Sequence, residues 1–127
     1  SSPPEIRKRA MTKNIMWAVE GQIKPGKKDL FTQVMTDLVH TANNELVTII
    51  YEWTVAANGT DIHIYERYED EVAAQVHLGA WSQNGPRFTD VVQITQITVF
   101  SALSQELRAA FAGPETVFMS PMRGFIR

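Results

Sequence analysis

The sequence predicts an α+β domain with the element order βαββαβ, and three observations predict it. Apolar residues alternate with period two in four segments and recur at helical spacing in two others. An Asn58-Gly59 pair, the strongest short hairpin signal, separates the second alternating segment from the third. Elsewhere, successive alternating segments are separated by a helical one, which is the split βαβ arrangement of ferredoxin-like folds.

The first strand is read from Ile15, Trp17, Val19 and Ile23, which alternate with Met16, Ala18, Glu20 and Gln22. Lys24-Pro25-Gly26 turns the chain. Leu30, Phe31, Val34, Met35, Leu38 and Val39 then form one apolar helical stripe, and Asn43-Asn44 tolerate the backbone that ends helices. Leu46 to Val55 is rich in β-branched and aromatic residues and gives the second strand; Thr60 to Tyr68 gives the third, antiparallel to it.

Glu69, Asp70 and Glu71 put negative charge where a helix begins. Behind them Val72, Ala73, Val76, His77, Ala80 and Trp81 share one face, and Asn84-Gly85-Pro86 is the expected stop. Val91 to Ser101 is the fourth strand, and Gly21 and Gly26 read as isolated turn glycines. Ser104 caps a last helix carrying Leu107, Ala110 and Phe111, which Gly113-Pro114 ends. The tail from Thr116 holds Val117, Phe118, Phe125 and Ile126, too apolar to stay in water, so it is expected to pack on the barrel or on the other subunit.

At 127 residues, 44% hydrophobic and 20% charged, the chain supports one domain with a substantial core. Residues 1–13 read as a flexible N-terminal arm or an expression remnant, with Pro3-Pro4 and a basic Arg7-Lys8-Arg9 cluster; residues 14–127 form the domain. The absence of cysteine excludes disulfides, thiolate metal sites and cysteine nucleophiles. A net charge of −2 argues against binding nucleic acid by phosphate neutralisation. No membrane-length apolar run and no signal segment is seen, so a soluble, cytoplasmic protein without membrane contact is expected.

Neither face of the expected sheet is cleanly polar. Val47, Ile49, Tyr51, Trp53 and Val55 form one side of the second strand, against Leu46, Thr48, Ile50, Glu52 and Thr54. The third strand divides into Ile62, Ile64, Glu66 and Tyr68 against Asp61, His63, Tyr65 and Arg67. On the fourth, Ile97 and Val99 are expected opposite Ile94 and Phe100. Two helices cover one side only, so the second side is expected to meet another copy of the chain in a homodimer.

Several segments carry a resemblance to a known family. They are Trp17 to Ile23 running into Lys24-Pro25-Gly26-Lys27-Lys28-Asp29-Leu30-Phe31, the Tyr51-Glu52-Trp53 strand, and Ile64-Tyr65-Glu66-Arg67-Tyr68-Glu69-Asp70-Glu71 leading to His77. The ending Ser120-Pro121-Met122-Arg123-Gly124-Phe125-Ile126-Arg127 adds to it. The sequence resembles the antibiotic biosynthesis monooxygenases, dimeric α/β barrels that include quinol-monooxygenase-like members. The resemblance implies two ferredoxin-like protomers packed sheet to sheet, each with an apolar pocket between sheet and helices. It also implies oxidation of a small aromatic phenol or quinol by O2 without flavin, haem or metal. A phenol with a pKa of about 10 is only ~0.1% ionised at neutral pH, a shortfall of roughly 4 kcal/mol that a base and hydrogen-bond donors can supply.

His77 is the candidate catalytic base, or hydrogen-bond partner to the ionised substrate, because it shares the inward stripe of the second helix, and burial is expected to keep it neutral unless an anion offsets desolvation. Trp81 on the same stripe is a candidate to stack on a substrate ring. His63, Tyr65 and Arg67 share one strand face; if it lines the pocket they are a base, a donor and a cation, and if it meets the partner they are an interface layer, the preferred reading. Glu66 on the opposite face, Trp53, Tyr51 and the amide of Asn43 complete the candidate substrate contacts. The three histidines lack metal-ligand spacing, so no metal is expected. The rival reading is a non-catalytic, small-ligand-binding or stress-associated barrel. A haem-degrading relative would use Asn14 and His77, but Tyr68 to His77 lacks the tryptophan such enzymes carry.

Overall fold

Strand β1 (Ile15–Ile23) lies at the centre of a five-stranded sheet because its alternate residues Ile15, Trp17, Val19 and Ile23 are all buried on one face. The computed structural model describes residues 13–125, so the basic cluster of the arm and Ile126 lie outside the described residues. Helix α1 (Lys28–Asn43) follows, then β2 (Thr48–Val55), β3 (Asp61–Tyr68), α2 (Glu71–Val91), β4 (Val92–Val99), α3 (Gln105–Ala110) and β5 (Thr116–Phe118). The sheet order is β2-β3-β1-β4-β5, antiparallel except for β5, which runs parallel to β4. This is the expected α+β, ferredoxin-like βαββαβ topology with one added edge strand.

Pairing across the strands sets what each face presents. One row reads Tyr51, Glu66, Trp17, Val99, Phe118, and the next reads Trp53, Ile64, Val19, Ile97, Thr116. Both rows belong to the face that α1 and α2 cover. The interleaved row Glu52, Tyr65, Ala18, Thr98, Val117 belongs to the other face, which carries no helix. That open face is mixed as expected: Tyr65, Phe100 and Val117 are exposed beside His63 and Gln96.

Three local expectations are corrected. Helix α2 does not stop at Pro86 but continues to Val91. A proline inside a helix costs about 3 kcal/mol, which the complete burial of Phe88 and Val91 beyond it offsets. Strand β2 begins at Thr48, because Glu45 to Val47 form a turn in which the Thr48 amide donates to the Glu45 carbonyl. On β4, Ile94 and Ile97 do not oppose each other. The register shifts between Glu20 and Gly21, so Glu20 pairs with Gln96 but Gly21 with Ile94. The extra residue, Thr95, turns Ile94 to the same side as Ile97. Gly21 is therefore not a turn glycine. A Cβ there would lie 2.7 Å from Val92 Cγ1 and 2.8 Å from the Gln93 carbonyl oxygen, so only glycine lets the strands approach at the bulge.

The chain end packs in part. Leu107 and Phe111 are buried, Phe111 edge-on to Trp17 at 4.8 Å, and the Arg108 guanidinium lies 3.9 Å over the Phe118 ring. Ser104 caps α3 as expected by accepting from the Leu107 amide, and its own amide donates to Glu71 of α2. Val117 and Phe125 are half exposed in the single protomer, which leaves the expected packing on a second subunit open to them.

Candidate functional site

Asp70 starts α2 by accepting the Ala73 amide at 2.9 Å. The small, buried Ala73 and Ala74 then let the helix lie close on the sheet. One turn on, His77 reaches down between strands and loop. Its Nε2 is 3.2 Å from Glu66 Oε1 on β3, and its Nδ1 is 3.0 Å from Glu45 Oε1 on the α1–β2 turn. Glu66 Oε1 also accepts from the Tyr68 hydroxyl at 2.7 Å, and Glu45 Oε1 from the Thr48 hydroxyl at 2.8 Å. The side chains of His77, Glu66 and Glu45 are only 7%, 6% and 11% exposed. Tyr51 meets the imidazole edge-on at 5.2 Å, and Tyr68 packs on it at 4.9 Å.

This geometry corrects the expected protonation of His77. Burial alone would lower its pKa, but the hydrogen bond and charge of Glu66, followed by those of Glu45, outweigh burial and raise it. With a carboxylate oxygen facing each nitrogen, the site favours the protonated ring over the neutral one. Tyr51 and Tyr68 move the same way: burial first, then the charge of Glu66, pushes both phenols well above the ordinary tyrosine range. The Tyr68 hydroxyl is a fixed donor to Glu66. The ring lies between the two carboxylates, so the three groups do not converge on a common point. Among the described residues no cluster of three or more His, Asp or Glu is placed to hold a metal ion.

Beside this row is a cavity of about 170 Å³, lined by Trp17, Ile64, Glu66, His77, Trp81 and Phe111 among others. The bulge on β4 brings both Ile94 and Ile97 into its wall, and the α3–β5 segment adds Glu115 and Thr116. A cavity of roughly 150 Å³ accommodates benzene, so this one has room for a single aromatic ring.

The sequence-predicted residues divide between the cavity and other places. His77, Glu66 and Trp81 meet at the cavity. His63 and Tyr65 do not: the pleat turns them to the open face, where His63 Nε2 lies 3.3 Å from Glu20 and Tyr65 is 46% exposed. Arg67 shares that face and donates to Asn14 Oδ1 at 2.9 Å from Nε, so Asn14 is committed away from the cavity. Trp53 packs between Phe31 and Phe88 in the core and does not line the cavity. Asn43 ends α1 beside a separate cleft with Val39, Thr48 and Tyr51. Sequence reading missed Glu45 altogether and took Trp17 and Phe111 only as apolar residues. Glu45 carries no local signal, because only the return of the chain after α1 brings it to His77.

No family model matches the chain, and no curated protein matches it by sequence. Solved structures do match. MupZ from Pseudomonas fluorescens superposes with a TM-score of 0.79 at 18% identity, over 91% of this chain and 96% of that one. SnoaB, a cofactor-independent oxygenase from Streptomyces nogalater, gives 0.62 at 8% identity, over 74% and 97%. An antibiotic biosynthesis monooxygenase gives 0.61 at 16% identity, over 71% and 99%. Identities this low bear on architecture alone. The chain has the fold of the antibiotic biosynthesis monooxygenases.

Proposed function

We propose that the protein is a cofactor-independent monooxygenase that oxidises a single-ring phenol or quinol with O2, and that it works as a homodimer. The observation that carries this reading is the Glu66–His77 pair in the wall of an aromatic cavity sized for one ring. The bonds to Glu66 from described residues fall on Oε1, which leaves Oε2 for a substrate hydroxyl. In this reading Glu66 accepts the phenolic proton, and the imidazolium beside it balances the charge left on the substrate oxygen. His77 is then an electrostatic partner in place of the neutral base first expected. Trp17, Trp81 and Phe111 hold the ring and exclude water from the radical pair.

The electrons all come from the substrate. The phenolate passes one electron to O2, and phenoxyl radical and superoxide recombine as a ring peroxide. Loss of water then leaves a carbonyl, so one oxygen atom enters the ring and the other departs in water. The balance needs no external reductant. The kinship in fold with SnoaB, described as a cofactor-independent oxygenase, supports the same chemistry.

The open face supports the dimer. Tyr65, Phe100 and Val117 expose apolar surface on a sheet side that no helix covers. A sheet-to-sheet pair would bury it, in the range above ~2,000 Å² usual for obligate partners. Oxygen uptake and quinone formation by metal-free protein with a panel of single-ring hydroquinols tests the activity. Turnover is expected, whereas tight binding without oxygen uptake would favour the rival binding barrel. Sedimentation tests the dimer: a stable 14.3 kDa species at micromolar concentration would remove it.

A further inference from the structure

Glu45 is the buried carboxylate that the proposed chemistry leaves without a task. It projects from a turn whose other residues face water, with Leu46 beside it 96% exposed, yet its own side chain is 11% exposed. The turn is fixed at both ends: the Glu45 amide donates to the Ala42 carbonyl at 3.0 Å, and the Thr48 amide to the Glu45 carbonyl at 3.0 Å. Thr48 Oγ1 then holds Glu45 Oε1 at 2.8 Å, and the same oxygen faces His77 Nδ1 at 3.0 Å. Three atoms, Thr48 Oγ1, Glu45 Oε1 and His77 Nδ1, thus link the surface turn to the ring, on the side of His77 opposite the cavity carboxylate.

We propose that Glu45 is the positioning residue of this site: it fixes the angle of the His77 ring and accepts its second N–H, so that His77 presents Nε2–H to Glu66 as a permanent cation. The inference rests on the functional reading above and deepens it. An imidazole has two nitrogens and, when neutral, one hydrogen. If only Glu66 faced the ring, a neutral ring donating from Nε2 would satisfy it. A second carboxylate at Nδ1 makes the doubly protonated form the one with every bond made. The other titratable groups around the ring do not supply this. Tyr51 from β2 and Tyr68 from β3 are neutral phenols, and among the described residues β1 contributes Trp17. The raised pKa of His77, which burial opposes and Glu66 and Glu45 produce, agrees with the geometry. Orientation of a histidine by a carboxylate behind it is a general device for fixing tautomer and ring angle.

Glu45→Gln is the discriminating change, because glutamine keeps the length and a hydrogen bond but offers an N–H to Nδ1, which suits a neutral ring. Nitrogen-15 NMR of the His77 ring reads its proton count directly. In the full-length protein both nitrogens should be protonated at neutral pH, and in Glu45→Gln the titration midpoint should fall by about one unit or more. Glu45→Asp, which restores the charge, should recover much of that fall. Oxygen uptake with hydroquinone should drop about 10–100-fold in Glu45→Gln, less than the ~10²–10⁴-fold of losing an acid–base group itself. A neutral His77 ring in the unmodified protein at pH 7 overturns the proposal without any variant. So does a Glu45→Gln protein that folds by circular dichroism and keeps the parent's midpoint and uptake. If the unmodified protein consumes no oxygen, the oxygenase reading fails while the NMR comparison still decides the role of Glu45.

Discussion

Each face of the sheet carries a histidine facing a glutamate, at almost the same separation. His63 Nε2 is 3.3 Å from Glu20 on the open face, and His77 Nε2 is 3.2 Å from Glu66 on the covered face. The first pair is 47% and 35% exposed, the second 7% and 6%. Distance therefore does not distinguish them; water does. An exposed pair is screened and contributes about 0–1 kcal/mol. A buried pair cannot lose one member without leaving an uncompensated charge, at a cost of roughly 3–5 kcal/mol. Within one protomer the same two residue types thus make an exposed pair on one side of the sheet and a buried pair on the other, and α2 is what differs.

The comparison can be broken most sharply at the carboxylates. Glu66→Gln should reduce hydroquinol-dependent oxygen uptake by about 10²–10⁴-fold, whereas Glu20→Gln should leave it unchanged; equal losses would mean that the cavity is not where the chemistry occurs. A smaller effect is expected at the bulge. Gly21→Ala pushes a methyl into Val92 and the Gln93 carbonyl, so it should cost about 1–3 kcal/mol in a denaturant titration and disturb the cavity wall at Ile94. An unchanged midpoint would mean that the strands can part there freely.

The mildest effect is on pH dependence. His77 has a folded-state pKa raised above its ordinary 6.5. Its contribution to stability is therefore fully present below about pH 6.5 and is lost as pH rises through the folded value. Melting temperature should decline on the alkaline side, with a flatter profile in Glu45→Gln. A decline confined to acid pH would show that His77 is buried neutral.

Much of this was legible in the sequence. Period two with an Asn-Gly turn is a local signal, and it located β1, β2 and β3 to within a few residues because those strands keep it over most of their length. The helical stripe of α2 located His77 and Trp81, and parity along β3 located Glu66 on the same side. What failed depended on distant neighbours. The bulge that turns Ile94 inward is set by Gly21 across the sheet, and parity alone cannot reveal it. Pro86 is a local stop signal that tertiary burial of Phe88 overrode. The neutral state expected for His77 followed correctly from burial, but Glu45 comes from a turn thirty-two residues away, and no spacing rule links the two. His63 and Tyr65 carried suitable chemistry but lie on the face away from the cavity, and parity along one strand cannot say which face that is.

The central claim is that the covered face does the chemistry and the open face does not. Paired oxygen-uptake rates of His77→Ala and His63→Ala with one hydroquinol, each checked for folding by circular dichroism, test it most directly. The account predicts that His77→Ala loses about 10²–10³-fold and that His63→Ala keeps the parent rate. A folded His77→Ala with undiminished uptake, or a loss that appears in His63→Ala instead, would contradict it.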